Sequence, residues 1–186
     1  MAAGSFSRVV SLACHDLRTP LATVYGFART LTRAGDLDER STRFLGMIEE
    51  ASEQMTTLLD ELGVAARIAG GRWEPVLVEV DTRELADGGD ERISVQGEGE
   101  AIETERESVA RGLQAFAVAA IRHGPVEQAT WRVDGRLLEL SPVTPAAGPV
   151  VLGDELKDFG SLVGRMAIEE LGGSVELAGE TLRVRL

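Results

Sequence analysis

The chain has 186 residues, 44% of them apolar, so it can form one domain or two small ones and is too apolar for a disordered protein. Its formal net charge of −12 argues against DNA, RNA or an anionic membrane as a partner, because all three are negatively charged. The sequence has neither an apolar run of the roughly 20 residues that span a bilayer nor a secretory signal, and a single cysteine permits no internal disulfide. We expect an acidic, soluble, cytoplasmic protein.

Two long helices are predicted for about the first 70 residues. In each, apolar residues recur at alternating spacings of three and four, the a/d pattern of a coiled coil. The first seam consists of Val10, Cys14, Leu17, Leu21, Val24, Ala28 and Leu31, and the second of Phe44, Ile48, Ala51, Met55, Leu58, Leu62, Ala65 and Ala69. Because the connector, residues 33–39, is short, the two helices are expected to form an antiparallel hairpin.

Both ends of the second helix carry capping signals. Asp36 is the predicted N-cap, with Glu39 three residues later as in a capping box. The pair Gly70-Gly71 is predicted to end the helix.

The seams also predict an oligomeric state. Since a lone hairpin cannot bury both flanks of its seams, we expect two hairpins to pair as a four-helix bundle, which makes the protein a homodimer. The alternative is that the hairpin packs on the rest of its own chain. The long, narrow seams favour the dimer.

After residue 75 the pattern changes to short strands mixed with helices. Asp134-Gly135 is a strong hairpin signal, Thr104 with Glu107 forms a predicted helix start, and Gly172-Gly173 ends the last helix. The predicted strands are 76–80, 92–96, 130–133, 136–140, 175–177 and 182–186, and the predicted helices are 82–87, 104–123 and 154–171. We expect an α+β fold: the hairpin, residues 1–71, followed by an α/β sandwich, residues 72–186, with its helices on one face of a mixed sheet.

The first helix contains an unusual polar cluster, His15-Asp-Leu-Arg-Thr-Pro-Leu21. At about 100° per residue, His15 lies off the apolar seam. Its face is shared with Ser11, Arg18, Thr19 and Ala22. An exposed neutral imidazole is a competent nucleophile towards phosphorus, and a neighbouring carboxylate can take its other proton. The alternative is an ordinary surface histidine. Pro20 lacks the N–H that would bond to the Asp16 carbonyl and is expected to bend the helix.

The heptapeptide resembles the phosphoacceptor box of bacterial sensor histidine kinases. That family has a dimerisation and histidine phosphotransfer hairpin followed by an ATP-binding α/β sandwich, and the resemblance covers nearly the whole chain. It implies that His15 is phosphorylated, that Asp16 is its general base, and that Thr19 positions water for phosphatase action. Response-regulator receiver domains are the implied partners. We expect them to dock on the helix face near Ser11, Arg18 and Ala22.

The second domain departs from the family where ATP would bind. Two asparagine positions that hold Mg²⁺ and phosphate in the family are Ala115 and Ala119 here, and alanine offers no oxygen ligand. Ser141 replaces the aspartate that binds adenine, and the segment 146–158 is too short for the family's ATP lid. Asp158 stands where a glycine lets phosphate approach, and its carboxylate repels phosphate. The combination resembles kinase-derived histidine phosphotransferases.

Three functions remain open. In the first, favoured by the intact box, His15 exchanges phosphoryl groups with receiver aspartates, and the chain binds no ATP, metal or other cofactor. The second is an ATP-dependent autokinase with an atypical nucleotide site for ATP and Mg²⁺. The third is a non-catalytic dimeric scaffold that binds a response regulator. Nucleotide binding separates the first two, and phosphoryl uptake at His15 separates the first from the third.

Overall fold

The computed structural model describes residues 3–35 and 37–186, with side chains from residue 6 onward. The chain divides into two compact units on either side of the Arg72–Trp73 bond. The predicted domain boundary, after Gly71, lies one residue before this division.

The first unit is a hairpin of α1 (Ala3–Ala34) and α2 (Glu39–Ala69). The helices are antiparallel, because Arg18 bonds to Asp60 near the end of α2 whereas Thr32 bonds to Glu49. On α1 the residues that are buried against α2 recur every seven positions. On α2 the residues that are buried against α1 have small side chains. They are Ser7, Cys14, Leu21 and Ala28, with Ser52, Gly63 and Ala66.

Only some of the residues in the predicted seams lie in the contact between α1 and α2. On α1, Cys14, Leu21 and Ala28 are buried and Val10 is half-buried, whereas three large members stay exposed: Leu17 54%, Val24 49% and Leu31 49%. On α2 the predicted seam lies outside the contact, and its large residues are all exposed: Phe44 49%, Ile48 42%, Met55 46%, Leu58 51% and Leu62 38%. The same three-and-four spacing therefore describes a second, open apolar stripe on each helix.

The capping predictions for α2 have different outcomes at its two ends. Asp36 lies outside the described residues, and the N-cap is Asp38, whose carboxylate accepts the N–H of Ser41 at 2.6 Å. This hydrogen bond lowers the pKa of Asp38. At the other end the glycine prediction is confirmed. Gly71 has a φ of +59°, and the N–H groups of Gly71 and Arg72 return to helix carbonyls at 2.9 Å, as in a Schellman motif.

The second unit contains two sheets and four helices among the described residues. The elements are β1 (Val78–Asp81), α3 (Thr82–Ala86), β2 (Ile93–Gly99), β3 (Ala101–Thr104), α4 (Arg106–His123), β4 (Ala129–Gly135), β5 (Leu137–Ser141), α5 (Gly148–Val151), α6 (Phe159–Glu170), β6 (Ser174–Ala178) and β7 (Thr181–Arg185). A two-stranded sheet pairs β1 with β3, and a five-stranded sheet has the order β2-β4-β5-β7-β6, with β2 and β4 parallel and the other pairs antiparallel.

Three details of the second unit were predicted wrongly. Thr104 does not open α4: it is buried at the end of β3, a strand that was missed, and the N-cap is Glu105, which accepts the N–H of Ser108. No element was predicted between the strand 136–140 and the helix 154–171, but the short helix α5 lies there. The last helix begins at Phe159 rather than near Asp154.

The five-stranded sheet has one buried and one open face. Along β4, Ala129, Trp131 and Val133 are buried, whereas Thr130 is half-buried and Arg132 and Asp134 are exposed. The buried side packs against α4, whose Val109, Leu113 and Phe116 are fully enclosed. This arrangement confirms the predicted α+β class with helices on one face of a mixed sheet. Among the described residues, no helix has the length and apolar character that crossing a bilayer requires.

Candidate functional site

His15 and Asp16 form an exposed pair on α1. The His15 side chain is 78% exposed and that of Asp16 is 67% exposed, with 3.2 Å between His15 Nδ1 and Asp16 Oδ1. An ionised carboxylate can only accept, so this contact assigns the proton to Nδ1 and leaves the lone pair on Nε2 free. Asp16 is also the only carboxylate within α1. The pair presents a nucleophilic nitrogen to solvent.

The helix geometry separates the His15 side chain from the apolar surfaces of the hairpin. Cys14, its neighbour, is 1% exposed and faces α2. At about 100° per residue, His15 points roughly 110° from the centre of the buried face, and Thr19 and Ala22 lie on the same side. The open stripe, which includes Leu17, lies on the other side of the buried face. His15 is thus outside both apolar surfaces.

Thr19 and Pro20 lie one turn after the pair. Thr19 is exposed, and its carbonyl accepts a hydrogen bond from the Thr23 hydroxyl at 3.1 Å. The helix continues through Pro20 to Ala34. The hydroxyl of Thr19 therefore shares the open side of α1 with His15.

The residues predicted to contact a receiver differ in exposure. Ala22 is exposed, whereas Ser11 is half-buried and its hydroxyl donates to the Ser7 carbonyl at 2.9 Å. Arg18 is half-buried and its guanidinium binds the carboxylate of Asp60 on α2. Sequence reasoning missed Asp60. The available signal was a carboxylate next to the apolar seam of the second helix.

The predicted nucleotide positions in the second unit do not fit ATP and Mg²⁺. Ala119 is fully buried in the core, and Ala115 is half-buried on the same helix, α4. Neither side chain carries an oxygen, and Ser141 is a short exposed hydroxyl at the end of β5. The described residues contain no group of three or more His, Cys, Asp or Glu side chains that could hold a metal ion.

Asp158 occupies the N-terminus of α6 with its own negative charge. One carboxylate oxygen accepts the N–H of Ser161 at 2.9 Å, and the other lies 3.7 Å from a guanidinium nitrogen of Arg122 at the end of α4. The Asp158 side chain is only 11% exposed. A helix N-terminus is a common phosphate site, but here a side-chain carboxylate already holds that position.

Residues 7–71 match the family described as His Kinase A (phospho-acceptor) domain. This match covers the hairpin, about a third of the chain. The matched span includes His15, Asp16 and Thr19 together with the whole of α2.

Two curated relatives each match about a third of this chain. Over 63 residues the chain is 35% identical to the probable sensor histidine kinase TcrY, and over 61 residues it is 43% identical to the sensor histidine kinase TrcS, both of Mycobacterium tuberculosis. These matches cover 34% and 32% of this chain, but only 13% and 12% of the two relatives.

The likeness in fold extends over both units. ShkA full-length in complex with AMPPNP matches 95% of this chain and 44% of its own, with a TM-score of 0.67 and 19% identity. The Acinetobacter baumannii histidine kinase AdeS matches 92% of this chain and 97% of its own, with a TM-score of 0.57 and 16% identity. Both units of this chain thus share the fold of these solved structures.

Proposed function

We propose that this chain is a phosphorelay protein in which His15 accepts a phosphoryl group from an aspartate of one receiver domain and returns it to an aspartate of another, without ATP. The observation that carries the proposal is a contrast between the two units. The His15–Asp16 pair is intact and open to solvent, whereas the helix terminus expected to receive phosphate is held by Asp158 and Arg122.

The chemistry needs only the two side chains of the exposed pair and a receiver. His15 Nε2 attacks the phosphorus of the receiver's aspartyl phosphate, the P–O bond to the aspartate breaks, and that aspartate leaves as a carboxylate. The new N–P bond places positive charge on the ring, and Asp16 takes the proton from Nδ1 across the 3.2 Å contact. Return of the phosphoryl group follows the same steps in reverse. The metal used in transfer belongs to the receiver's own acidic pocket.

Thr19 supports a second reaction at the same place. Its hydroxyl is exposed one turn after His15 and can hold a water molecule for hydrolysis of the receiver's aspartyl phosphate. The receiver is proposed to lie across this side of α1 and to contact the exposed Ala22. It also contacts the accessible part of Ser11, whereas Arg18, the third residue predicted at this surface, is bound to Asp60 on α2.

We further propose that the chain is a homodimer through its open apolar stripes. On α1 the stripe includes Leu17, Val24 and Leu31, and on α2 it includes Met55, Leu58 and Leu62. In each helix the stripe is rotated from the buried face by about 80° in the same sense. Because the helices are antiparallel, equal rotations place both stripes on one side of the hairpin, opposite His15. Such a continuous apolar face is typical of one half of a four-helix bundle.

An autokinase is the second candidate. It is favoured by the likeness in fold to ShkA in complex with AMPPNP and by the kinase names of both curated relatives. Against it stand the buried Ala119 and the carboxylate of Asp158 at the helix terminus. Incubation with Mg-ATP alone distinguishes the two, because only an autokinase labels His15 without a receiver.

The experiment that tests the proposal uses purified receiver domains phosphorylated with acetyl phosphate. Each is desalted and mixed with this chain in Mg²⁺ without ATP, and phosphohistidine is measured by acid-labile label and mass spectrometry. We expect at least one phosphorylated receiver to label His15. We also expect the phosphorylated chain to transfer this label to a second receiver. Binding of receivers without any label would support the scaffold instead and overturn the proposal.

A further inference from the structure

We infer that Arg18 is a positioning residue, which fixes the orientation of His15 by binding Asp60 on α2 rather than by contacting the receiver. This inference rests on the proposed phosphotransfer at His15. Arg18 lies three residues after His15 on α1, and its side chain crosses to the second helix instead of extending into solvent.

The contact joins residues 42 positions apart through more than one hydrogen bond. Arg18 Nε and Nη2 donate to the same carboxylate oxygen of Asp60 at 3.0 and 2.8 Å, and Nη2 also lies 3.5 Å from the Leu59 carbonyl oxygen. The two side chains are 38% and 34% exposed, so the pair is partly shielded from water. A planar guanidinium with two donors on one partner restricts rotation more than a single bond does.

Gly63, one turn after Asp60, leaves room for this contact. It is buried in the hairpin, and a Cβ added there would lie 3.4 Å from Arg18 Nη2 and 3.3 Å from Arg67 Nη1. The distance to Arg67 is slightly tighter than ordinary van der Waals contact and that to Arg18 is at its limit, so a side chain at this position would lie directly against both guanidinium groups. The absence of a side chain at Gly63 therefore leaves space for the Arg18 side chain where it crosses to α2.

The geometry links this contact to the reacting nitrogen. Residues three apart on a helix differ by about 60° around its axis, so fixing Arg18 towards α2 fixes the direction of His15 at the edge of the hairpin. A rotation of α1 by one residue, about 100°, would break the contact with Asp60 and turn His15 towards or away from α2. In-line attack on phosphorus depends on such orientation.

A double-mutant cycle separates positioning from receiver contact. Arg18→Gln, Asp60→Asn and the double variant are assayed with the fastest receiver found for the parent chain, at varied receiver concentration. We expect each single change to slow the maximal transfer rate about tenfold with half-saturation unchanged, and the double variant to be no slower than either. Arg33→Ala, an exposed arginine on the same helix, is the matched control and keeps the parent rate.

Two results would overturn the inference. One is additivity, with the double variant slowed by the product of the single effects. The other is raised half-saturation for Arg18→Gln with Asp60→Asn silent, which would make Arg18 a receiver contact. If glutamine unfolds the hairpin by circular dichroism, Arg18→Lys replaces it, because lysine keeps the charge but loses the two-donor geometry. A parent chain that exchanges with no receiver would instead refute the proposed function itself.

Discussion

Cys14 and His15 are adjacent on α1 but lie in opposite environments. Cys14 is 1% exposed and packs against α2, whereas the His15 side chain is 78% exposed. A change at His15 therefore removes a reactive group without removing a packing contact. The chemistry of the hairpin and its assembly are separable by mutation.

His15→Ala should abolish phosphoryl uptake and leave the dimer intact. The side chain lies off both the hairpin contact and the open stripe, so the mass by light scattering and the helical circular dichroism should match those of the parent. His123→Gln is the control, since it removes the only other histidine and should label normally. Exchange at the parent rate in His15→Ala would show that another residue carries the phosphoryl group.

Asp16→Asn should slow transfer by a factor on the order of 10²–10⁴, because the amide cannot take the proton from His15 Nδ1. No other carboxylate within α1 can substitute for it. Asp16→Glu should recover part of the rate because it restores a carboxylate. Single-turnover transfer from a labelled receiver measures the effect, and an unchanged rate in Asp16→Asn would exclude general-base action by this residue.

Thr19→Ala should leave transfer to His15 unchanged and lower hydrolysis of the phosphorylated receiver. The expected reason is loss of the hydroxyl that holds the attacking water. Thr23→Ala is a matched control, because Thr23 is an exposed threonine one turn further along α1. Release of inorganic phosphate from the receiver is the measurement. Equal loss of hydrolysis in both variants would remove the specific role of Thr19.

Leu21→Asp and Leu58→Asp should fail in different ways. Leu21 is 9% exposed inside the hairpin, so an unpaired carboxylate there costs several kcal/mol and should unfold the helices. Leu58 is 51% exposed on the open stripe, so its aspartate variant should stay helical but become monomeric. Thr57→Asp, on the polar side of α2, should remain a dimer. A parent chain that scatters light as a monomer at micromolar concentration would contradict the dimer itself.

Most helices and most strands could be predicted because their signals are local. Heptad spacing, the glycine pairs and the Asp134-Gly135 turn each depend on neighbouring residues, and the corresponding elements are present. The missed β3 has a different cause. Its four residues alternate between exposed and buried, and Thr104 with Glu107 matched a helix start by chance. The spacing of apolar residues also could not show which side of each helix faces the other helix of the hairpin. The buried face and the open stripe both repeat with the same heptad period.

The candidate site was likewise predictable only where its residues are close together in the sequence. His15, Asp16 and Thr19 lie within five residues, so the sequence alone brought them together. The contact of Arg18 with Asp60 and that of Arg122 with Asp158 each join residues far apart in the chain. Their partners depend on the register of two packed helices and on the path of a connector, neither of which is encoded in a short pattern.

The last prediction concerns nucleotide. Calorimetry should detect no binding of Mg-ATP, and Ala119→Asn should not create it. Ala119 is 0% exposed in the core, so an asparagine amide there would be buried among apolar side chains without a hydrogen-bond partner. Such a group costs about 1–3 kcal/mol, so the second unit should melt at a lower temperature. Ala115→Asn, at a half-buried position on the same helix, is the control for asparagine itself and should lower the melting temperature less. Micromolar affinity of the parent for Mg-ATP would refute this prediction and favour the autokinase.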